Sequence, residues 1–293
     1  MSFLIVWHYQ VILGTEPRTG EAAASGLEKL PWKVSIEAKN NHICGGVILS
    51  SWWILSAAHC FAKEIPPDLE IVVGSKGDQE RRRTLDRIVI HQDFNSSSMG
   101  NDIALILLDS PIKFSEGMFI SLPLMHDLHV WKDCCVTRWS PSMAGGQKRP
   151  FSKLEKMGTT LISRQQCSER VQGLTEDVLC AVSEEGKKDS CEGNSGGPLI
   201  CTYGDISGKW FVIGIASWGD SCRGEEGPAV YTLVFSHLDW IQTATAREGK
   251  PFIPKGTDII GASPHSGVVE SHFAFDSPLG LLVCLILMVY ESY

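Results

Sequence analysis

The chain has 293 residues, enough to bury one large core or two small ones. Lys plus Arg number 26 against 34 Asp plus Glu, a formal net charge of -8, which argues against nucleic-acid binding as the main business. The 28 glycines and 9 tryptophans, with many short β-branched runs between Gly/Pro/Ser turns, argue against a helical protein and for an all-β one.

Residues 1–10 form a short leader. Its apolar run Phe3-Leu4-Ile5-Val6-Trp7 is short for a signal core, and no basic residue precedes it. The 10 cysteines speak more strongly, for disulfides and an oxidising compartment, and so for an extracellular protein, secreted or attached to the cell surface. From residue 11 to 246 short strand candidates recur: Trp32 to Ile36, Gly46 to Leu49, Trp53 to Ser56, Glu70 to Val73, Arg87 to Ile90 and Ile103 to Leu107. A second group runs Cys135 to Trp139, Lys153 to Leu161, Val178 to Ala181, Pro198 to Cys201, Trp210 to Ser217 and Ala229 to Leu233. Regular short strands with turn signals indicate barrels or a sandwich. Arg81-Arg82-Arg83 reads as a solvated loop, or else as a small exosite for acidic partners. Ser236 to Ala246 reads as a terminal helix, with Ser236 as cap and Leu238, Ile241 and Thr245 on one face. Residues 247–278 are a linker and 279–293 a hydrophobic tail. The apolar stretch Leu279 to Tyr290 is shorter than the about 20 residues a spanning helix needs. After a polar spacer it fits a GPI-attachment signal, with Gly261-Ala262-Ser263 or Ser266-Gly267-Val268 as the small-residue site, or else an interfacial segment.

Three separated motifs complete one another: Trp53-Ile54-Leu55-Ser56-Ala57-Ala58-His59-Cys60, Asn101-Asp102-Ile103-Ala104-Leu105, and Asp189-Ser190-Cys191-Glu192-Gly193-Asn194-Ser195-Gly196-Gly197-Pro198. A serine hydroxyl is a poor nucleophile at neutral pH. It needs a base within reach, and the base needs a group that fixes its tautomer. His59, Asp102 and Ser195 are those types. Paired glycines beside Ser195 give a tight turn whose N–H groups can face an oxyanion. No C-x-x-C pair suggests zinc, and no metal or cofactor is expected.

With Pro31-Trp32-Lys33-Val34-Ser35-Ile36, Cys44-Gly45-Gly46, Ser217-Trp218-Gly219 and Gly227-Pro228-Ala229-Val230-Tyr231, these motifs resemble the chymotrypsin/trypsin family of serine proteases. Ser51-Trp52-Trp53-Ile54-Leu55, Ser110-Pro111-Ile112-Lys113 and Glu248-Gly249-Lys250-Pro251-Phe252, followed by the tail, are most similar to the membrane-anchored serine protease 55 subgroup. The resemblance implies two antiparallel six-stranded β-barrels, about 26–117 and 118–235, then the helix 236–246. The triad would lie in the cleft between the barrels. It implies Gly193 and Ser195 as the oxyanion N–H pair, and Ser56 and Ser217 as donors that keep a buried Asp102 ionised. It implies the disulfides Cys44–Cys60, Cys134–Cys201, Cys167–Cys180 and Cys191–Cys222, leaving Cys135 and Cys284 over. Asp189 would floor a pocket for Arg or Lys, lined by Ser190, Ser217, Trp218, Gly219 and Ala229. Protein or peptide substrates and serpin- or Kunitz-type inhibitors follow as partners.

Several positions depart from the family pattern. Asn194 stands where aspartate precedes the nucleophile, so the ion pair with an activated N-terminus is altered. Gln10-Val11-Ile12-Leu13-Gly14 lacks the basic residue and first glycine of an activation junction. Ala229 replaces glycine in the pocket wall and narrows it. Arg138 and Ser140 replace glycines and are expected to be strained. These departures predict weak or unusually triggered turnover, or a catalytically inactive homologue that binds. Asn95-Ser96-Ser97 is a glycosylation sequon ahead of Asp102.

Overall fold

A computed structural model describes residues 30–63, 65–73, 81–113, 120–123, 127–144, 147–183, 194–204, 209–219 and 227–254, with the backbone alone at 81 and 139–154. The first sheet contains β1 (Lys33–Ala38), β2 (Asn41–Ile48), β3 (Trp53–Ser56), β4 (Leu69–Val73), β5 (Arg81–Arg83), β6 (Leu85–Ile90) and β7 (Ala104–Leu108). Its order is β5-β4-β1-β2-β3-β7-β6. β5 and β6 are two halves of one stretch interrupted at Thr84. The first half pairs with β4 (Val73 opposite Arg81), the second with β7 (Ile90 opposite Ala104). One bent strand thus serves both edges, and the sheet closes as a six-stranded barrel.

Arg81 to Arg83 is therefore strand rather than the solvated loop expected. Edge pairing with β4 fixes the backbone, and two carboxylates hold Arg82: Glu70 at 2.8 Å and the buried Glu37 at 3.2 Å. The side-chain hydrogen bond to Glu70, with both carboxylates nearby, raises the guanidinium pKa.

The second sheet is a closed barrel of β8 (Trp131–Ala144), β9 (Gln147–Ile162), β10 (Val178–Ser183), β11 (Pro198–Tyr203), β12 (Trp210–Gly219) and β13 (Ala229–Leu233), ordered β10-β13-β12-β11-β8-β9. A short helix α1 (Arg164–Ser168) enters through a capping box of Ser163 and Gln166. The chain leaves β13 by a 3-10 turn, Val234–His237, and continues into α2 (Leu238–Arg247). Ser236 does not cap α2. The preceding 3-10 turn moves the start to His237, whose side chain makes no cap bond. Ile241 and Thr245 face inward as expected. The main core runs from Val34, Ile36 and Leu105 of the first barrel to Ile200 and Ile215 of the second and Ile241 of α2. The two barrels and the helix therefore stabilise one another.

Three disulfides are present among the described residues: Cys44–Cys60, Cys134–Cys201 and Cys167–Cys180. Cys135 is free and buried. Arg138 lies within β8 and is absent from the residues with positive φ, so the expected backbone strain is not found there. Its guanidinium instead binds Glu155 of β9 at 3.1 Å. The segments that carry the subgroup likeness also meet. Trp53 Nε1 donates to the Lys250 carbonyl at 2.7 Å, and Lys250 Nζ stands 4.0 Å over the Trp52 ring.

Candidate active site

His59 sits in a 3-10 turn, Ala58–Phe61, directly after β3. The Cys44–Cys60 disulfide ties that turn to β2. The ring Nδ1 lies 2.7 Å from Asp102 Oδ2, and the His59 backbone N–H donates to Oδ1 at 2.7 Å. Asp102 is fully buried just before β7. Ser217 Oγ, from β12, donates to the same Oδ2, and Thr232 Oγ1 of β13 donates to the Asp102 carbonyl at 2.9 Å. A carboxylate with these donors fixes the imidazole with its proton on Nδ1, leaving the Nε2 lone pair as a base.

Ser56 does not join this cluster. Its Oγ donates to the Gly45 carbonyl at 2.8 Å. Gly196 of the nucleophile turn packs onto that hydroxyl: a Cβ there would lie 2.5 Å from Ser56 Oγ and 3.1 Å from Cys60 Sγ. Gly196 has φ +71, which an L side chain tolerates poorly. The turn 194–197 is stitched on both sides. Gly45 N–H donates to the Ser195 carbonyl at 2.7 Å, and Gly196 N–H to the Ala216 carbonyl at 2.9 Å.

His59 Nε2 is 3.8 Å from the same Cys60 Sγ. The imidazole and the Ser195 turn thus converge on one disulfide. Among the described residues no hydrogen bond yet joins Ser195 Oγ to Nε2. Asn194 is buried, and its Oδ1 has no hydrogen-bond partner among the described residues.

Ser217, Trp218 and Gly219 end β12, and Gly219 pairs with Ala229 of β13. Gly219 has φ +143, and a Cβ there would lie 2.7 Å from the Pro228 carbonyl oxygen and 3.0 Å from Ala229 Cα. The backbone is close against Ala229 at this wall. Asp189, Ser190, Gly193 and the pair Cys191 and Cys222 lie outside the described residues, as do residues 1–10 and the C-terminal tail. Asn95 is exposed on the loop ahead of Asp102, bridged to Gly100, with Oδ1 accepting from the Ser97 and Ser98 N–H groups.

Ligand atoms of Cys44, His59 and Cys60 lie within 4.8 Å of one another, but the two sulfurs are joined and offer no thiolate to a metal. Among the described residues no helix is long and apolar enough to cross a membrane.

The structure thus brings together a His59–Asp102 pair and a Ser195 turn that both approach the Cys44–Cys60 disulfide. The trypsin family model matches residues 18–241. The chain belongs to the trypsin family. Coagulation factor XI of Bos taurus is a similar protein, 32% identical over 228 residues. That alignment covers 73% of this chain and 36% of the relative, so the chain matches about a third of that relative's length. The trypsin family is a family of serine endopeptidases.

Sequence reasoning did not find Thr232, Asp177 or His237. Asp177 Oδ2 accepts the Asn101 N–H at 2.7 Å, and His237 Nε2 faces Asn101 Oδ1 at 3.2 Å. Nothing near Asp102 in the sequence signals these partners.

Proposed function

We propose that this chain is a serine endopeptidase with a preference for Arg or Lys before the scissile bond and with weak or unusually triggered turnover. The observation that carries the reading is the buried Asp102, bonded twice to His59 and once to Ser217, beside the Ser195 turn. In this reading Ser195 Oγ attacks the scissile carbonyl and His59 Nε2 takes its proton. The imidazolium, stabilised by Asp102, then returns the proton to the leaving amine. The backbone N–H groups of Gly193 and Ser195 hold the oxyanion. Asp189 supplies charge selectivity, and Ala229 narrows the slot. Substrates are proteins or peptides, and serpin- or Kunitz-type inhibitors fit the same cleft. No cofactor enters the reaction.

Weak turnover is supported by Asn194. Relatives place an aspartate there, which pairs with a newly cut N-terminal ammonium. An amide accepts a hydrogen bond from an ammonium without neutralising it. Losing a buried pair typically costs about 3–5 kcal/mol, which makes the competent state on the order of 10²–10³ rarer. The buried Asn194 Oδ1, which has no hydrogen-bond partner among the described residues, also favours a second reading, a catalytically inactive homologue that binds through its cleft. The extracellular setting is supported by the disulfides. Attachment to the cell surface rests on the tail motif, and the membrane-anchored subgroup on the sequence likeness around Trp52, Trp53 and Lys250.

A fluorophosphonate probe decides between the readings. Labelling of Ser195 in folded, disulfide-bonded protein is expected, and absence of labelling would leave the binding reading. Asn194→Asp in a protein beginning at Val11 should raise the labelling rate about tenfold or more. An unchanged rate would remove the explanation of weakness.

A further inference from the structure

We propose that Asp177 and His237, both from the second barrel, are positioning residues for the His59–Asp102 pair, acting through Asn101. The proposal rests on the catalytic reading of Asp102 given above. Asn101 immediately precedes Asp102 and has φ +52. Non-glycine residues are sparse in this left-handed region, asparagine being one of the few that enter it, and the conformation is held where the surroundings fix it.

The surroundings do so from four directions. The Asn101 N–H donates to Asp177 Oδ2 at 2.7 Å. Asn101 Nδ2 donates to the Asp93 carbonyl at 3.2 Å, which turns Oδ1 toward His237 Nε2. The Asn101 carbonyl accepts from the Ile103 N–H at 2.8 Å, closing a tight turn around Asp102. His237 is itself buried. Its Nδ1 lies 2.9 Å from the Leu233 carbonyl, and its Nε2, 3.2 Å from Asn101 Oδ1 and 3.7 Å from Asp177 Oδ2, donates to them in the imidazolium form, whose charge burial opposes and Asp177 favours. Asp177 is anchored at the same place, since its carbonyl accepts the Leu233 N–H at 2.7 Å. Leu233 ends β13, so both residues are fixed to one rigid strand of the second barrel.

The far side of Asp102 is held as well. The His91 N–H donates to the Ile103 carbonyl at 3.1 Å, and the His91 ring packs edge-on against His237 at 5.4 Å and tilted against Trp240 at 4.9 Å. The backbone on both sides of Asp102 is therefore registered against the second barrel. That barrel also supplies Ser217, Thr232 and the Ser195 turn. Asp102 and His59 belong to the first barrel. The Asp177–Asn101–His237 clamp sets where the first barrel's acid stands relative to the second barrel's nucleophile. A misplacement of about 1 Å in such a group can cost on the order of 10²-fold in rate.

Without Asp177, the Asn101 N–H loses its acceptor and the left-handed backbone loses its main support. The peptide joining residues 101 and 102 then relaxes, and the carboxylate turns away from His59 Nδ1. Asn at position 177 keeps an acceptor oxygen of the same reach.

The test uses the full disulfide-bonded chain and two readouts. One is the low-field NMR resonance of the His59 Nδ1 proton, which reports the bond to Asp102 whether or not the protein turns over. The other is the fluorophosphonate labelling rate of Ser195. Asp177→Ala is expected to shift or broaden the resonance and to slow labelling about tenfold or more. Asp177→Asn should keep both close to the wild type. If Asp177→Ala folds and only its melting temperature changes, with the resonance in place, the residue is merely structural and the proposal fails. If Asp177→Ala does not fold, His237→Ala is judged by the same resonance, and an unmoved resonance again overturns the proposal. If the wild type itself does not label, the catalytic reading fails, while the resonance comparison still decides the positioning role.

Discussion

Replacing Gly196 by alanine tests how tightly the nucleophile turn is wedged between the barrels. Two costs add. The backbone is at φ +71, where a Cβ typically costs about 1–2 kcal/mol. The new methyl would also stand 2.5 Å from Ser56 Oγ, 2.8 Å from the Gly45 carbonyl oxygen and 3.1 Å from Cys60 Sγ. None of these neighbours gives way easily. The carbonyl belongs to β2 and the sulfur to a disulfide, while the hydroxyl is bonded to that carbonyl. Overpacking of this kind typically adds about 1–3 kcal/mol, for a total of about 2–5 kcal/mol. Gly173→Ala separates the terms. Its φ is +76 but nothing lies within 4 Å of the added Cβ, so only the backbone cost applies. Urea denaturation of the two variants should differ by about 1–3 kcal/mol, with Gly196→Ala the weaker, and its Ser195 labelling should be lost or much slowed. Equal destabilisation of the two variants would refute the wedge.

Two further outcomes follow from buried groups. Lys33 is buried with its Nζ donating to the Thr137 carbonyl, and desolvation holds its pKa well below 10.5. The unfolded chain then binds more protons than the native one between that lowered pKa and 10.5, so stability rises with pH through this window. Lys33→Met should flatten the rise in unfolding free energy measured from neutral to about pH 10, and an unchanged slope would contradict it. Burial pushes the Cys135 thiol up to about 11, against the pull of Lys156 and Lys33. Iodoacetamide at about pH 8 should leave Cys135 untouched in the native protein and alkylate it once denatured, as peptide mass spectrometry would show. Equal modification in both states would mean that the thiol is accessible.

Local signals read well where the chain makes local structure. β3 and β13 have the expected bounds, because each is a short, largely apolar run opened by turn residues. The three described disulfides join the expected cysteines. The choice of Cys134 over its neighbour follows the strand's alternation, since Cys135 faces the core at 1% exposure. Hairpin pairing carries β8 and β9 past Trp139 and Lys153, through residues whose composition reads as turn. The His59–Asp102 bond was legible because each partner lies in its own motif. Ser56 Oγ bonds the Gly45 carbonyl of the neighbouring strand instead of Asp102, a choice of acceptor that rests on tertiary packing and not on the local motif. Asp177 and His237 lie 76 and 136 residues from Asn101, a separation at which composition and periodicity carry no information.

The bent strand from Arg81 to Ile90 has a consequence for self-digestion. Under the proposed preference, three successive arginines form a cleavage target inside the enzyme's own first barrel. A protease cleft accepts an extended segment free on both edges. β5 is bound along one edge to β4, and Arg82 is tethered by Glu37 and Glu70. The seam that closes the barrel therefore also shields it. Fraying at this seam would expose a bond whose scission detaches β4 from β6 and makes a reversible opening permanent.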